Sequence, residues 1–223
     1  VIPAPAWPNY VAQVLLADGV PVLAPVKEEN GFRLTREILE SHLTPKTRAV
    51  LINTPANPTG AFLTERELEG IAEVCLRHDL LVYADEVYNN IVYDGLRAPS
   101  IAVLPGMRDR TVIVNSMSKT YAMCGWRVGW ALGPSEIIGQ MVKFQEHVAA
   151  CAASIAQAAA IAALTGPREE VDSMVEQYDR RRRLMVQGLN NIPGFRCRMP
   201  EGTFYAFVNI KGTGMSSQDL AML

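Results

Sequence analysis

Between Asn115 and Trp130 the chain reads Asn-Ser-Met-Ser-Lys-Thr-Tyr-Ala-Met-Cys-Gly-Trp-Arg-Val-Gly-Trp. Ser116 and Ser118 precede Lys119, and Arg127 follows it. Serine hydroxyls, backbone N–H groups and a guanidinium are the donors a phosphate needs, and Arg can hold it with a two-pronged fork. A lysine amine beside that anion could form a Schiff base with an aldehyde whose phosphate sits there. The same residues would also make a surface Ser/Lys turn before a buried strand, and this stretch alone does not choose.

Two other loops carry polar groups behind apolar runs. Thr54 to Gly60, with Asn57 at its centre, follows Ala49 to Asn53, and Asp85-Glu86-Val87-Tyr88 follows Leu80 to Ala84. Loops at strand carboxyl ends are where open α/β sheets bind ligands, although turn chemistry alone also explains a Pro/Asn/Gly cluster. An acid emerging from an apolar run is costly unless it is paired, because burial without a partner raises its pKa. Asp85 therefore either meets a cation or caps the next turn. Trp7 lies in a Pro-rich turn, as a hydrophobic anchor or as a ring to stack on a ligand.

Ser-x-Ser-Lys followed by Gly-Trp-Arg-x-Gly resembles the lysine segment of the class I/II aminotransferases, the fold-type I pyridoxal-phosphate enzymes, aspartate- and aromatic-type members above all. Pro5-Ala6-Trp7-Pro8-Asn9-Tyr10, Asn57-Pro58-Thr59-Gly60 and Asp85-Glu86-Val87-Tyr88 match in the family's order, so the resemblance spans nearly the whole chain. It implies a pyridoxal 5'-phosphate (PLP)-dependent transferase fold, a mostly parallel sheet flanked by helices. An incomplete PLP-binding large domain would cover 1–165, and the start of a small α+β C-terminal domain 166–223. It implies that Lys119 forms the Schiff base and then acts as the base at the substrate Cα. Asp85 would hold the pyridine nitrogen protonated, and Tyr88 and Asn57 would bond the phenolic oxygen. Trp7 would stack on the ring, and Ser116, Ser118 and Arg127 would fix the phosphate. Lys119, Asp85 and Tyr88 are thus the catalytic candidates. Cis bonds are expected at Ala4-Pro5 and Asn57-Pro58.

The implied activity is amino-group transfer between an L-amino acid and a 2-oxo acid, with a homodimer in the full-length parent. A lyase or decarboxylase of the same fold, a non-catalytic binding or regulatory module, and an inactive fragment remain as alternatives. The resemblance starts partway into the family's large domain and stops inside its small one, and Val1 is no natural initiator. A fragment is therefore expected. The resemblance implies that the family's other phosphate loop and an aromatic reaching into the partner subunit's site would lie upstream of these residues, and the carboxylate-binding arginine downstream.

The elements that must position these residues follow from periodicity. Strands are expected at Val20–Val26, Ala49–Asn53, Leu80–Ala84, Asn90–Tyr93, from Thr111, at Arg127–Leu132 and at Phe204–Ile210. Helices are expected from Asn9, from Thr35 to His42, and from a Thr64/Glu67 capping box to His78. Others should run from Ser135 to Ala150, up to Gly166, from Pro167 to Asn190, and from Ser216 or Ser217. Strands alternating with helices argue a mostly parallel sheet covered on both faces. Pro3, Pro5 and Pro8 should preclude regular structure before Asn9.

Composition narrows the classes further. The 223 residues are 49% hydrophobic and 20% charged, as in an ordinary globular protein, and the net charge of -2 argues against nucleic-acid binding. Four scattered cysteines and three histidines argue against a zinc site or disulfide framework and for a reducing, cytoplasmic setting. No Gly-x-Gly-x-x-Gly fingerprint supports a nicotinamide site. The uncharged run Val148–Leu164 sits at the short limit for a membrane span, so a buried or subunit-facing helix is the expectation. The row Arg180–Arg183, with Glu176 and Asp179 before it, reads as a solvated, ion-paired helix face.

Overall fold

A computed structural model describes all residues, 1–223. The chain opens with β1 (Ile2–Ala4), α1 (Asn9–Leu16), β2 (Leu23–Pro25) and α2 (Arg36–Ser41). It continues through β3 (Ala49–Asn53), α3 (Glu65–Arg77), β4 (Leu81–Asp85), β5 (Thr111–Ser116), α4 (Met117–Thr120) and β6 (Gly129–Leu132). Three helices follow, α5 (Ser135–Ala149), α6 (Ser154–Thr165) and α7 (Glu169–Asn190). The last elements are β7 (Arg196–Cys197), β8 (Val208–Asn209) and α8 (Ser217–Ala221).

The central sheet has the order β3-β4-β5-β6, with the first three strands parallel and β6 antiparallel to β5. Asn53 lies opposite Asp85, and Asp85 opposite Val114. The carboxyl ends of β3, β4 and β5 therefore emerge along one edge. Because β6 runs the other way, it begins at that edge, with Gly129 opposite Ser116. The sheet thus gathers three loops far apart in sequence: those after β3 and β4, and the β5–β6 connection. β1 and β2 form a separate parallel pair, tied to β3 by bonds from Val1 N to Ala49 O (2.8 Å) and from Leu51 N to Val1 O (2.9 Å).

Parallel neighbours need a crossover, and α3 supplies the one between β3 and β4. Its start is fixed by the expected capping box: Thr64 Oγ1 accepts from Glu67 N, and Glu67 Oε2 accepts from Thr64 N at 2.7 Å. One face of α3 buries Leu68, Ile71, Val74 and Cys75 against Val50 and Ile52 of β3, Val82 and Ala84 of β4 and Leu39 of α2. Each fully buried Leu or Ile contributes roughly 1.5–3 kcal/mol, so this layer dominates the core.

Coverage of both sheet faces holds on one side only. β4 alternates with period two, so Val82 and Ala84 turn to α3 while Tyr83 turns away. Tyr83 and Val114 stay 39% and 40% exposed. Other strands are shorter than periodicity suggests. Val20–Val26 contracts to β2, and Asn90–Tyr93 to a single antiparallel bridge between Val92 and Gly202. Phe204–Ile210 contracts to β8, because the Tyr205 N–H bonds Thr203 Oγ1 (3.2 Å) instead of a strand partner. Pro3, conversely, lies within β1. Ile2 N and Ala4 O take the ladder bonds to the β2 side, so its missing N–H faces away from that partner.

The run Val148–Leu164 is divided between α5 and α6, and no helix is long and apolar enough to cross a membrane. Only Ala156 and Ala160 of α6 are buried and its large residues Ile155 and Ile161 are exposed, so of the two expected alternatives, a buried or a subunit-facing helix, the helix is not buried within this chain. The small alanines let α6 pack on Met117 and Met123. The arginine row on α7 is also not uniformly solvated. Arg182 keeps 5% of its side chain exposed. It bonds Asp179, Asp94 (2.6 Å) and Pro200 O (2.6 Å) and lies over the Tyr93 ring.

Candidate functional site

The lysine segment leaves β5 at Ser116, whose Oγ caps α4 by accepting from Ser118 N at 3.0 Å. That single turn places Lys119 in the lining of a cavity of about 450 Å³. Lys119 Nζ has no carboxylate partner; it lies 5.6 Å from the centre of the Phe204 ring. The chain then returns through Arg127, whose left-handed backbone (φ 52°) turns its side chain back across the loop. Arg127 Nη1 donates to Cys124 O at 2.7 Å, and the rest of the guanidinium makes no bond within the chain. Gly129 closes the return. A Cβ there would come within 2.7 Å of Asn115 O, so only glycine lets β6 approach β5 this closely.

Asp85 ends β4. Its Oδ2 accepts from the Tyr10 hydroxyl at 2.6 Å, and its Oδ1 from Val87 N at 3.1 Å. Asp85 thus caps its own turn, as the plainer reading had it, and also faces the cavity. Burial pushes its carboxyl above the ordinary carboxylate range, against the Tyr10 and Val87 bonds and the Lys119 charge, which pull it down. The Tyr10 phenol is raised by its own burial and then by the Asp85 charge. A carboxylate held by neutral donors is suited to a cationic ring nitrogen.

On the third side, Asn57 N donates to Asn53 Oδ1 at 2.8 Å, which steadies the Asn-Pro-Thr-Gly loop. The Ala4–Pro5 and Asn57–Pro58 peptide bonds are cis, as is Thr54–Pro55. Asn57 Nδ2 donates to the Tyr205 hydroxyl at 3.3 Å, and that hydroxyl lies 2.8 Å from the Tyr88 hydroxyl. Burial, followed by the Tyr205 bond, raises the Tyr88 phenol. Trp7 stands at the mouth, edge-on to Tyr10 with ring centres 5.4 Å apart.

All eight residues singled out from sequence line this one cavity: Trp7, Asn57, Asp85 and Tyr88 with Ser116, Ser118, Lys119 and Arg127. Hydroxyl, guanidinium and amine donors share the lining with one carboxylate. Sequence reading missed Tyr10 and Tyr205. Tyr10 lies within the quoted Pro-Ala-Trp-Pro-Asn-Tyr block, but its partner is 75 residues away. Tyr205 reaches Tyr88 across 117 residues, and no local pattern announces either contact.

A family model described as aminotransferase class I and II matches residues 1–222. The chain is 46% identical to "Aromatic-amino-acid aminotransferase 2" of Thermococcus litoralis and 46% identical to "Aspartate aminotransferase" of Pyrococcus abyssi. In both cases the match covers 100% of this chain and 58% of the relative, so the chain spans little more than half their length. The crystal structure of an aromatic aminotransferase from Pyrococcus horikoshii OT3 superposes with a TM-score of 0.96 at 47% identity, covering 100% of this chain and 60% of that one.

Proposed function

The chain belongs to the aminotransferase class I and II family, and from that membership we propose that it moves an amino group between an L-amino acid and a 2-oxo acid with pyridoxal 5'-phosphate as cofactor. The observation that carries this reading is the convergence, in one cavity, of Lys119, the Ser116/Ser118/Arg127 donors and Asp85. The donor set suits the cofactor's chemistry: hydroxyls and a guanidinium for a phosphate, an amine for an aldehyde, and a burial-stressed carboxylate for a ring cation. When bound, the cofactor supplies a carbonyl for the amine link and a protonated ring that accepts electrons from the substrate Cα.

In this reading, Ser116, Ser118 and Arg127 bind the phosphate and set the register of the ring. Trp7 covers one ring face. Asp85 holds the proton on the pyridine nitrogen, with Tyr10 fixing its Oδ2. Tyr88 and Asn57 donate to the phenolic oxygen. Lys119, in the lining of the same cavity, would take the substrate Cα proton at high effective concentration. The relatives' names, aromatic-amino-acid and aspartate aminotransferase, favour aspartate- or aromatic-type donors. We place the large domain at 1–165 and the small domain from 166, in a cytoplasmic homodimer when the chain stands in a full-length protein.

Keto-acid release from aspartate or an aromatic amino acid, measured with PLP and 2-oxoglutarate, tests the proposal. Formation of the keto acid that disappears in Lys119→Ala supports it; turnover unchanged in Lys119→Ala contradicts it.

A further inference from the structure

Tyr205 has no assigned part in the site, yet its hydroxyl sits between two residues that do. The segment that carries it is bolted to the loops it bridges. Glu201 N and Gly202 N both donate to Gly60 O, at 3.0 and 3.2 Å, and Thr203 N donates to Ile91 O at 2.9 Å. Arg33 pairs with Glu201 at 2.6 Å, and the Tyr93 hydroxyl donates to Thr203 O. Thr203 is fully buried with a left-handed backbone (φ 63°), a conformation that a β-branched residue adopts only when its surroundings impose it. Gly60 shares the constraint: a Cβ there would lie 2.4 Å from Pro200 Cβ. The Tyr205 phenol is therefore delivered to a fixed point.

Asn57 Nδ2 can only donate, so the Tyr205 oxygen accepts that bond. The 2.8 Å bond between the phenols can run in either direction. Only donation from Tyr205 to Tyr88 leaves the Tyr88 proton free for an acceptor in the cavity. It also produces a head-to-tail chain in which each link polarises the next.

We propose that Tyr205 is a positioning residue that accepts from Asn57, donates to Tyr88 and thereby turns the Tyr88 hydroxyl into the cavity as a strengthened donor. The inference rests on the reading above that the cofactor's phenolic oxygen is the acceptor there. Donation to that oxygen steadies its negative charge and lowers the proton affinity of the conjugated chromophore, so weakening the chain should move its titration upward.

The test is a pH titration of the visible band of the PLP-loaded chain in wild type, Tyr205→Phe, Tyr88→Phe and the double variant. Tyr205→Phe keeps the ring and removes one oxygen. We expect its midpoint to rise by about half a pH unit, roughly threefold in proton affinity, as befits one polarising link. Tyr88→Phe should shift more, and Tyr205→Phe should add nothing on that background. 3-Fluorotyrosine placed at position 205 donates more strongly with little change of shape, and should lower the midpoint. Equal midpoints in wild type and Tyr205→Phe, or additive shifts in the double variant, would overturn the relay while leaving the cofactor reading intact. Absence of any band from the wild-type chain overturns both.

Discussion

Burial holds the Asp85 carboxyl above its ordinary range while the Tyr10 and Val87 bonds and the Lys119 charge oppose it. A raised folded-state value means that the folded chain binds the proton more tightly than the unfolded chain. The stability contributed by this group is present below the ordinary Asp range and falls as pH rises through the raised value. Asp85→Asn removes that dependence and keeps an acceptor for Tyr10. It should therefore raise the melting midpoint of the cofactor-free chain at neutral pH. The same change strands a ring cation, at a cost of about 3 kcal/mol or roughly a hundredfold in PLP affinity. Melts with and without PLP between pH 4 and about 8, across the usual Asp and His range, would show the two effects with opposite sign; a lower cofactor-free midpoint for Asp85→Asn at neutral pH would refute this account of the site. All eight residues expected in the site converge because each sits in a short block whose chemistry is local. Tyr10 and Tyr205 act only through partners on distant segments, and long-range contact leaves no trace in spacing.

At the scale of elements, the lysine segment depends on how closely β6 approaches β5. Gly129→Ala drives a methyl group against Asn115 O, and overpacking of this kind typically costs about 1–3 kcal/mol. Its larger effect should fall on Arg127, two residues before. PLP affinity should drop more than urea-measured stability does, and a variant that binds PLP like wild type would show that the β5–β6 spacing does not set the anion site. Thr64→Ala provides a contrast remote from the cavity. Losing the α3 cap should cost about 1 kcal/mol, or roughly 2–4 °C in melting midpoint, with PLP affinity unchanged. Helices with a side-chain cap, such as α2 and α3, matched their sequence limits closely, because capping residues are read locally. Strands were overestimated where hydrogen bonds left the ladder: Tyr205 N turns to Thr203, and Val92 keeps a single bridge. Apolar composition marks a segment that can be a strand, but partners decide its length.

At the scale of the whole molecule, Arg182 is the node between α7, the Tyr93–Asp94 turn and Pro200. Removing Arg182 empties a buried side chain and strands Pro200 O, while the partly exposed Asp94 and Asp179 keep Arg183, so Arg182→Ala should cost about 1–3 kcal/mol in urea titration. Its neighbour Arg183 reaches the same two aspartates from the exposed side, and Arg183→Ala should change little. Equal losses from the two variants would mean that burial does not distinguish them. The half-open sheet face at Tyr83 and Val114, and exposed Phe144, Ile155 and Ile161, leave apolar area that favours association. Sedimentation velocity at rising concentration should show self-association; a monomer throughout would show that these faces tolerate solvent. The central claim is that this chain presents Lys119 to a phosphate-bearing aldehyde. Its most direct test is a visible absorbance titration with PLP, followed by borohydride reduction and peptide mapping. A saturable band with the adduct on Lys119 alone is the predicted result. No band, or adducts scattered over several lysines, would contradict it.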